Sequence, residues 1–272
     1  MYEAFKHYSI KENACALHRI AFLQTPRQDH QHLDIGCGPG AFTRDYLVPR
    51  SWPCKNIVAV DKSHQMIEYA RQNSDHENIT FEVFDFGGQD IEDMIANYGT
   101  FDRIYSFLNF QGVKDGRKAY VDLSRLLTPG SGECLIFSGV SNSFTDAWMQ
   151  MHLMDRWRQV IPDPMSCLSD YHKFMLDNNF GKIESEIRGL VTDAEMETIA
   201  CHVFESEWPF PNVKTFLESS FNVIPFVQSI PECDIEDAKT DWARLMQASA
   251  AQQRSGFTAK MVFYCLHAKS AS

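Results

Sequence analysis

The chain of 272 residues is 44% apolar and 22% charged, enough to bury the core of one compact α/β unit with an insertion or of two small domains. Its net charge of −11, with no lysine or arginine run, argues against a nucleic-acid partner, because phosphate binding needs a concentrated basic surface. No stretch reaches the roughly 20 apolar residues of a membrane span, and Met1 to Ile20, with Lys6, His7, Lys11 and Glu12 scattered through it, lacks the apolar block of a signal peptide. A soluble, cytoplasmic protein is expected.

The first informative run is Leu33-Asp34-Ile35-Gly36-Cys37-Gly38-Pro39-Gly40, an acid and three alternating glycines at the end of a short apolar stretch. Glycine lets a backbone turn sharply and lets a ligand approach main-chain N–H groups, so the run predicts a strand-to-helix turn around a cofactor. A dinucleotide fingerprint places its last glycine three residues after the second, whereas here the interval is two. Val58-Ala59-Val60-Asp61 then reads as a buried strand ending in an acid placed to accept hydrogen bonds from ribose hydroxyls. Either nucleotide cofactor accommodates that pair.

A third strand, Ile79 to Val83, runs into Phe84-Asp85-Phe86, an acid between aromatics suited to adenine. A fourth spans Phe101 to Phe107, a helix closes in Leu126-Leu127-Thr128-Pro129-Gly130, and a fifth strand is Cys134 to Phe137. Asn142 and Ser143 are candidate helix caps. Beyond them Met149, Leu153, Trp157 and Val160 fall on one helical stripe, with Trp148, Met151 and Met154 on a second strip beside it. Such a helix should be covered on both faces and stopped by Pro162 and Pro164. Ser169 to Asn179 reads as a helix leading into a strand over Lys182 to Leu190, so residues 145–180 form a helical insertion where a lid over a substrate would sit. Its Met and Trp residues serve equally as core filling or as the wall of an elongated apolar pocket. Helical segments around Trp208-Pro209-Phe210-Pro211 and Ile230-Pro231-Glu232 precede a terminal strand from Gly256 to Cys265, and the tail Ala268 to Ser272 should fray. The eight cysteines never come closer than 17 residues apart, which excludes a CxxC metal or redox pair and predicts reduced, mostly packed thiols.

The order and spacing of these pieces resemble the Rossmann-like S-adenosylmethionine-dependent methyltransferases. The expected fold is thus α/β, a class I methyltransferase sheet with helices on both faces and a helical lid, in a single domain over residues 1–272. The segments Lys55 to Ser63, Met66 to Arg71, Phe101 to Phe107 and Met154-Asp155-Arg156-Trp157 are further similar to the arthropod juvenile hormone acid methyltransferase family. That resemblance implies S-adenosylmethionine as cofactor, held by Asp34, Gly36, Gly38, Gly40, Asp61, Lys62, Met66, Asp85, Phe86 and Ser106. It also implies methylation of the carboxylate of a terpenoid or other small apolar acid. Such an acid, with a pKa of about 4, is already ionised at neutral pH and needs no general base, so catalysis rests on in-line positioning and desolvation.

In that family the carboxylate is held by a glutamine of the N-terminal helix and a tryptophan after the fourth strand. An ungapped alignment puts Ile10 and Gly112 at those places. Gln111 and Asn109 are the candidate replacements, and Tyr8, His7 and His152 are further ones. With both family donors lost, a catalytically silent relative that sequesters cofactor or a terpenoid is the alternative reading.

Overall fold

Ile57-Val58-Ala59-Val60 is wholly buried, which is what a parallel strand covered on both faces requires. The same reasoning accounts for most of the sheet. The computed structural model describes residues 3–140, 143–167, 179–210, 212–221, 226–248 and 257–271. Strands β1 (Gln31–Ile35), β2 (Asn56–Asp61), β3 (Ile79–Val83), β4 (Arg103–Phe107), β5 (Glu133–Gly139), β6 (Met196–Phe210) and β7 (Phe257–Ser270) form one sheet in the order β3-β2-β1-β4-β5-β7-β6. The first five pair in parallel, with Ile35 beside both Val60 and Ser106, and Phe107 beside Phe137. Ser270 N donates to Gly132 O, and Val140 N donates to Val262 O, so β7 runs antiparallel to β5. Strand order reverses between β1 and β4, and the crevice outside their carboxyl ends is where open α/β sheets bind ligands.

Helices surround the sheet: α1 (Glu3–Arg19), α2 (Val48–Ser51), α3 (His64–Asn73), α4 (Glu92–Tyr98), α5 (Gly116–Leu126), α6 (Ser143–Leu153), α7 (Pro164–Cys167), α8 (Phe180–Asp193), α9 (Val213–Phe221) and α10 (Ile235–Ala248). Side-chain caps start several of them. Ser63 accepts from Met66 N at 3.3 Å and Asp115 from Lys118 N at 3.0 Å, each satisfying an N–H that the first turn leaves unpaired. The chain divides into two compact units. One comprises Ile10–Ser138, Asn179–Val203 and Tyr264–Ser272; the other comprises Met1–Ser9, Gly139–Asn178 and Phe204–Phe263. The second unit has an aromatic core of its own. Trp157 and Trp242 are fully buried, the indole N–H of Trp157 donates to Asp241 (2.8 Å), and that of Trp242 donates to Ser220 Oγ (3.0 Å). Those aromatics fill a core, whatever else they line.

Five expectations need correction. Lys182 to Leu190 is not a strand but the middle of α8: Asn179 caps it through Lys182 N (3.1 Å), and its buried residues Ile183, Ile187, Leu190 and Val191 recur at helical spacing. The stripe Met149, Leu153, Trp157, Val160 does not share one helix. α6 ends at Leu153, which is exposed, and turns follow from Met154 to Val160; the face it buries is Ala147, Trp148 and Met151. Pro162 and Pro164 therefore do not stop that helix, and Pro164 instead opens α7, where its missing N–H costs nothing. Trp208-Pro209-Phe210 completes strand β6 rather than a helix. Ala268 to Ser270 belongs to β7, with Ala268 buried, so the strand extends past the expected fraying point. The expected helix over Ser169 to Asn179 falls on 168–178, outside the described residues apart from the capping Asn179, and so do Asn142, the side chain of Ser143 and Gly256. All eight cysteines are free thiols, five of them buried.

At the amino ends of the parallel strands lies a buried polar layer. Glu133 accepts from Leu23 N (2.8 Å) and Gln24 N (3.0 Å) and sits 2.8 Å from His267 Nε2, both side chains being almost wholly buried. Nearby on β1, His32 is fully buried with no hydrogen-bond partner on either ring nitrogen. Burial, then the charge of Arg103 and then His30, hold its pKa down at about 3. The imidazole stays neutral in the folded chain and takes a proton when unfolded. Its contribution is present above pH about 6.5 and lost as pH falls toward 3. His32→Phe should therefore lose less stability than wild type between pH 7 and pH 4, by about 1–3 kcal/mol in urea melts. Equal losses in the two proteins would remove His32 from the acid response.

Candidate cofactor site

The loop after β1 takes the shape its glycines permit: Gly36, Gly38 and Gly40 have φ of +79°, +54° and +76°. The three serve different ends. A Cβ on Gly36 would stand 2.5 Å from Cβ and Cγ of Asn109, and one on Gly40 would stand 2.6 Å from the Phe81 ring and 3.0 Å from Ala70. Those two are glycines because side chains pack against them. A Cβ on Gly38 would meet nothing within 4 Å, so there the backbone faces open space.

Asp61, at the carboxyl end of β2, ties the loop down. Its Oδ2 accepts from Gly38 N at 3.0 Å and its Oδ1 from Ser63 N at 2.8 Å, joining the glycine turn to the start of α3. Asp34 faces inward instead. It is buried and accepts from Thr43 Oγ1 at 2.6 Å, anchoring a single π-helical turn, Thr43–Leu47. Burial first, with the charge of Asp61 added and the Thr43 bond opposing, pushes its pKa up to about 7.

A pocket opens beside this turn. Asp61, Lys62, Asp85 and Asn109 supply its polar wall, and Ile35, Phe84, Phe86 and Val113 its apolar one, with Gly36 and Gly112 between. Of the predicted cofactor residues, Gly36, Asp61, Lys62, Asp85 and Phe86 thus meet at one place, and Gly38 is bonded to one of them. Asp34 and Ser106 support it from behind. Ser106 is buried on β4 and donates to Ile35 O at 3.0 Å, holding β4 to β1. Met66 is exposed in the first turn of α3.

The candidate donors fall in both units. Asn109 lines the pocket, and exposed Gln111 accepts from Ser138 Oγ (2.8 Å) and donates to Leu108 O (2.5 Å). Tyr8 and His152 belong to the other unit. There Tyr8 donates to Pro209 O and stacks on Trp208 at 5.5 Å, while His152 Nδ1 lies 2.8 Å from Ile161 O. His7 is exposed and packs edge-on against Tyr8. Neither Thr43 behind Asp34 nor the packing of Asn109 over Gly36 is visible in the sequence, since both are contacts between separate elements. Gly87, with φ +85°, is packed in the same way, since a Cβ there would stand 2.8 Å from the Val113 methyl.

Residues 33–135 match the family model described as a methyltransferase domain. The juvenile hormone acid O-methyltransferase of Drosophila melanogaster is 24% identical over 200 residues, covering 73% of this chain and 65% of that protein. The malonyl-(acyl-carrier protein) O-methyltransferase of Halalkalibacterium halodurans is 32% identical over 176 residues, covering 58% of this chain and 60% of that protein. The chain thus spans less than two thirds of the length of either relative. Phosphoethanolamine N-methyltransferase 2 of Haemonchus contortus, solved with S-adenosyl-L-methionine, has the same fold, with TM-score 0.53 and 18% identity over 96% of this chain and 53% of that one. The chain has the fold of the Rossmann-like, class I S-adenosylmethionine-dependent methyltransferases, and residues 33–135 carry its match to a methyltransferase domain.

The residues present fit that cofactor. Carboxylates at two neighbouring strand ends suit the hydroxyls of a nucleoside, Phe84 and Phe86 suit a purine face, and the open space over Gly38 admits a ligand against main chain. Asp61→Ala should weaken S-adenosylhomocysteine binding by about 1.5–3 kcal/mol in calorimetry, the scale of hydrogen bonds to a charged group. Undiminished affinity in a folded variant would remove Asp61 from the cofactor set.

Proposed function

We propose that this protein is an S-adenosylmethionine-dependent O-methyltransferase that esterifies the carboxylate of a small apolar, terpenoid or fatty-acid-like, acid, in the manner of the juvenile hormone acid methyltransferase family. The carrying observation is the pocket at the carboxyl ends of β1 to β4, in which Asp61, Asp85 and two phenylalanines meet beside the glycine turn. Two relatives whose names specify O-methylation support the choice of oxygen as acceptor. The cofactor supplies an electrophilic methyl group. The chain's part is to hold it, through Asp61, Lys62, Asp85, Phe86 and the Gly38 turn, and to present a carboxylate stripped of water. No imidazole or thiol lines the described pocket, and none is needed for an acceptor already ionised at neutral pH. Asn109, the amide that lines the pocket at the exit of β4, orients the acceptor, while Gln111 behind it is engaged with Leu108 O and Ser138 Oγ; Tyr8 and His152 are further candidates. We place the protein in the cytoplasm, acting on small molecules rather than nucleic acid.

A second reading is favoured by Ile10 and Gly112, which stand where the resembling enzymes carry their carboxylate donors. It is a silent relative that binds cofactor or a terpenoid as a sequestering module. A methyl-transfer assay on a panel of terpenoid and fatty acids separates the two. Ester formation supports the enzyme; S-adenosylhomocysteine binding without ester formation on any acid supports the module.

A further inference from the structure

The chain leaves β4 through a residue that resists the shape it takes. Leu108 has φ +52°, a left-handed conformation that a side chain with a Cβ disfavours. Hydrogen bonds bracket it on both sides. Its N–H donates to Phe137 O of β5 at 2.7 Å, and its carbonyl accepts from Gln111 Nε2 at 2.5 Å. The other end of the Gln111 amide accepts from Ser138 Oγ at 2.8 Å, a hydroxyl wholly buried in β5. The left-handed step turns Asn109 over Gly36, so close that a Cβ there would lie 2.5 Å from the asparagine side chain, and Asn109 becomes a wall of the pocket. Unusual backbone at such a place persists only where surrounding groups hold it.

We infer that Gln111 is a positioning residue: through Ser138 and the Leu108 carbonyl, its amide holds the exit of β4 so that Asn109 closes against Gly36 and completes the cofactor pocket. The inference rests on the reading of that pocket as the site of methyl transfer. It gives Gln111 a role that sequence position alone does not suggest, since its side chain acts on the pocket through the main chain of Leu108 and Asn109.

Two variants and two readouts test it. In Gln111→Ala, hydrogen exchange at the Leu108 amide should quicken and S-adenosylhomocysteine binding should weaken, each about five- to tenfold, the scale of one lost hydrogen bond. In Gln111→Ala with Leu108→Asn, both should return toward wild type, because asparagine enters the left-handed region with little penalty. A Gln111 that instead donates directly to the methyl acceptor gives a different pattern: exchange and cofactor affinity unchanged, kcat alone lowered, and no rescue by Leu108→Asn. That pattern overturns the inference, as does unchanged exchange at Leu108 by itself. Failure of the wild-type protein to bind S-adenosylhomocysteine would sink the methyltransferase reading instead, and the exchange measurement would still judge the role of Gln111.

Discussion

Gly38→Val is expected to abolish cofactor binding while leaving the protein folded. Gly38 has φ +54°, and a side chain there would point into space that no protein atom fills within 4 Å. Valine in that conformation carries strain of about 1–2 kcal/mol, which lowers the melting temperature of a chain this size by about 2–8 °C. The occupied ligand space costs far more. A loss of binding greater than about 100-fold, or about 2.7 kcal/mol, is expected for S-adenosylhomocysteine by calorimetry. Gly40→Val supplies the contrast, because a Cβ at that position meets the Phe81 ring at 2.6 Å and Ala70 at 3.0 Å. It should unfold the loop and lower stability outright. If Gly38→Val binds within about threefold of wild type, the turn is a structural element and the ligand lies elsewhere.

The contrast between those two glycines also measures how much of the site was legible in the sequence. Gly36-Cys37-Gly38-Pro39-Gly40 announced a turn against a ligand, and strands β1 to β5 were readable because each is a short apolar run ending in a turn or an acid. Which glycine keeps open space beside it was not readable. That depends on Phe81 and Asn109 arriving from β3 and from the exit of β4. The same limit applies to Asp34. Its place before the glycines marks it as a cofactor residue, yet its carboxyl is spent on Thr43, nine residues on. Past β5 the sequence failed for a different reason. Lys182 to Leu190 carries β-branched and apolar residues that fit either element, and only the Asn179 cap and the Ile183, Ile187, Leu190 spacing decide for a helix. At Trp208-Pro209-Phe210 the proline suggested a break, but β6 is the last strand in the sheet order, where a missing N–H is tolerated.

The native protein should methylate juvenile-hormone-type acids slowly, and paired replacement of Ile10 and Gly112 should restore the activity. The resemblance that assigns the chemistry also implies a glutamine and a tryptophan where Ile10 and Gly112 stand. Removing one donor from an anion in the transition state typically costs about 10²–10³ in rate. The Gly112 side of the pocket has room for the change: Gly112 is exposed, lines the pocket, and a Cβ there would meet nothing within 4 Å. Ile10 is a half-buried residue of α1, so glutamine there can keep its stem packed and present its amide at the surface. Ile10→Gln with Gly112→Trp should therefore raise kcat/KM on terpenoid acids by about 10²-fold or more. The two single changes should each give less than half of that gain in free energy, because both serve one carboxylate and either alone leaves it loosely held. Vigorous turnover of those acids by the native chain would mean that its own groups, Asn109 foremost, already hold the carboxylate. In that case Asn109→Ala, and not the paired replacement, should carry the large change in rate.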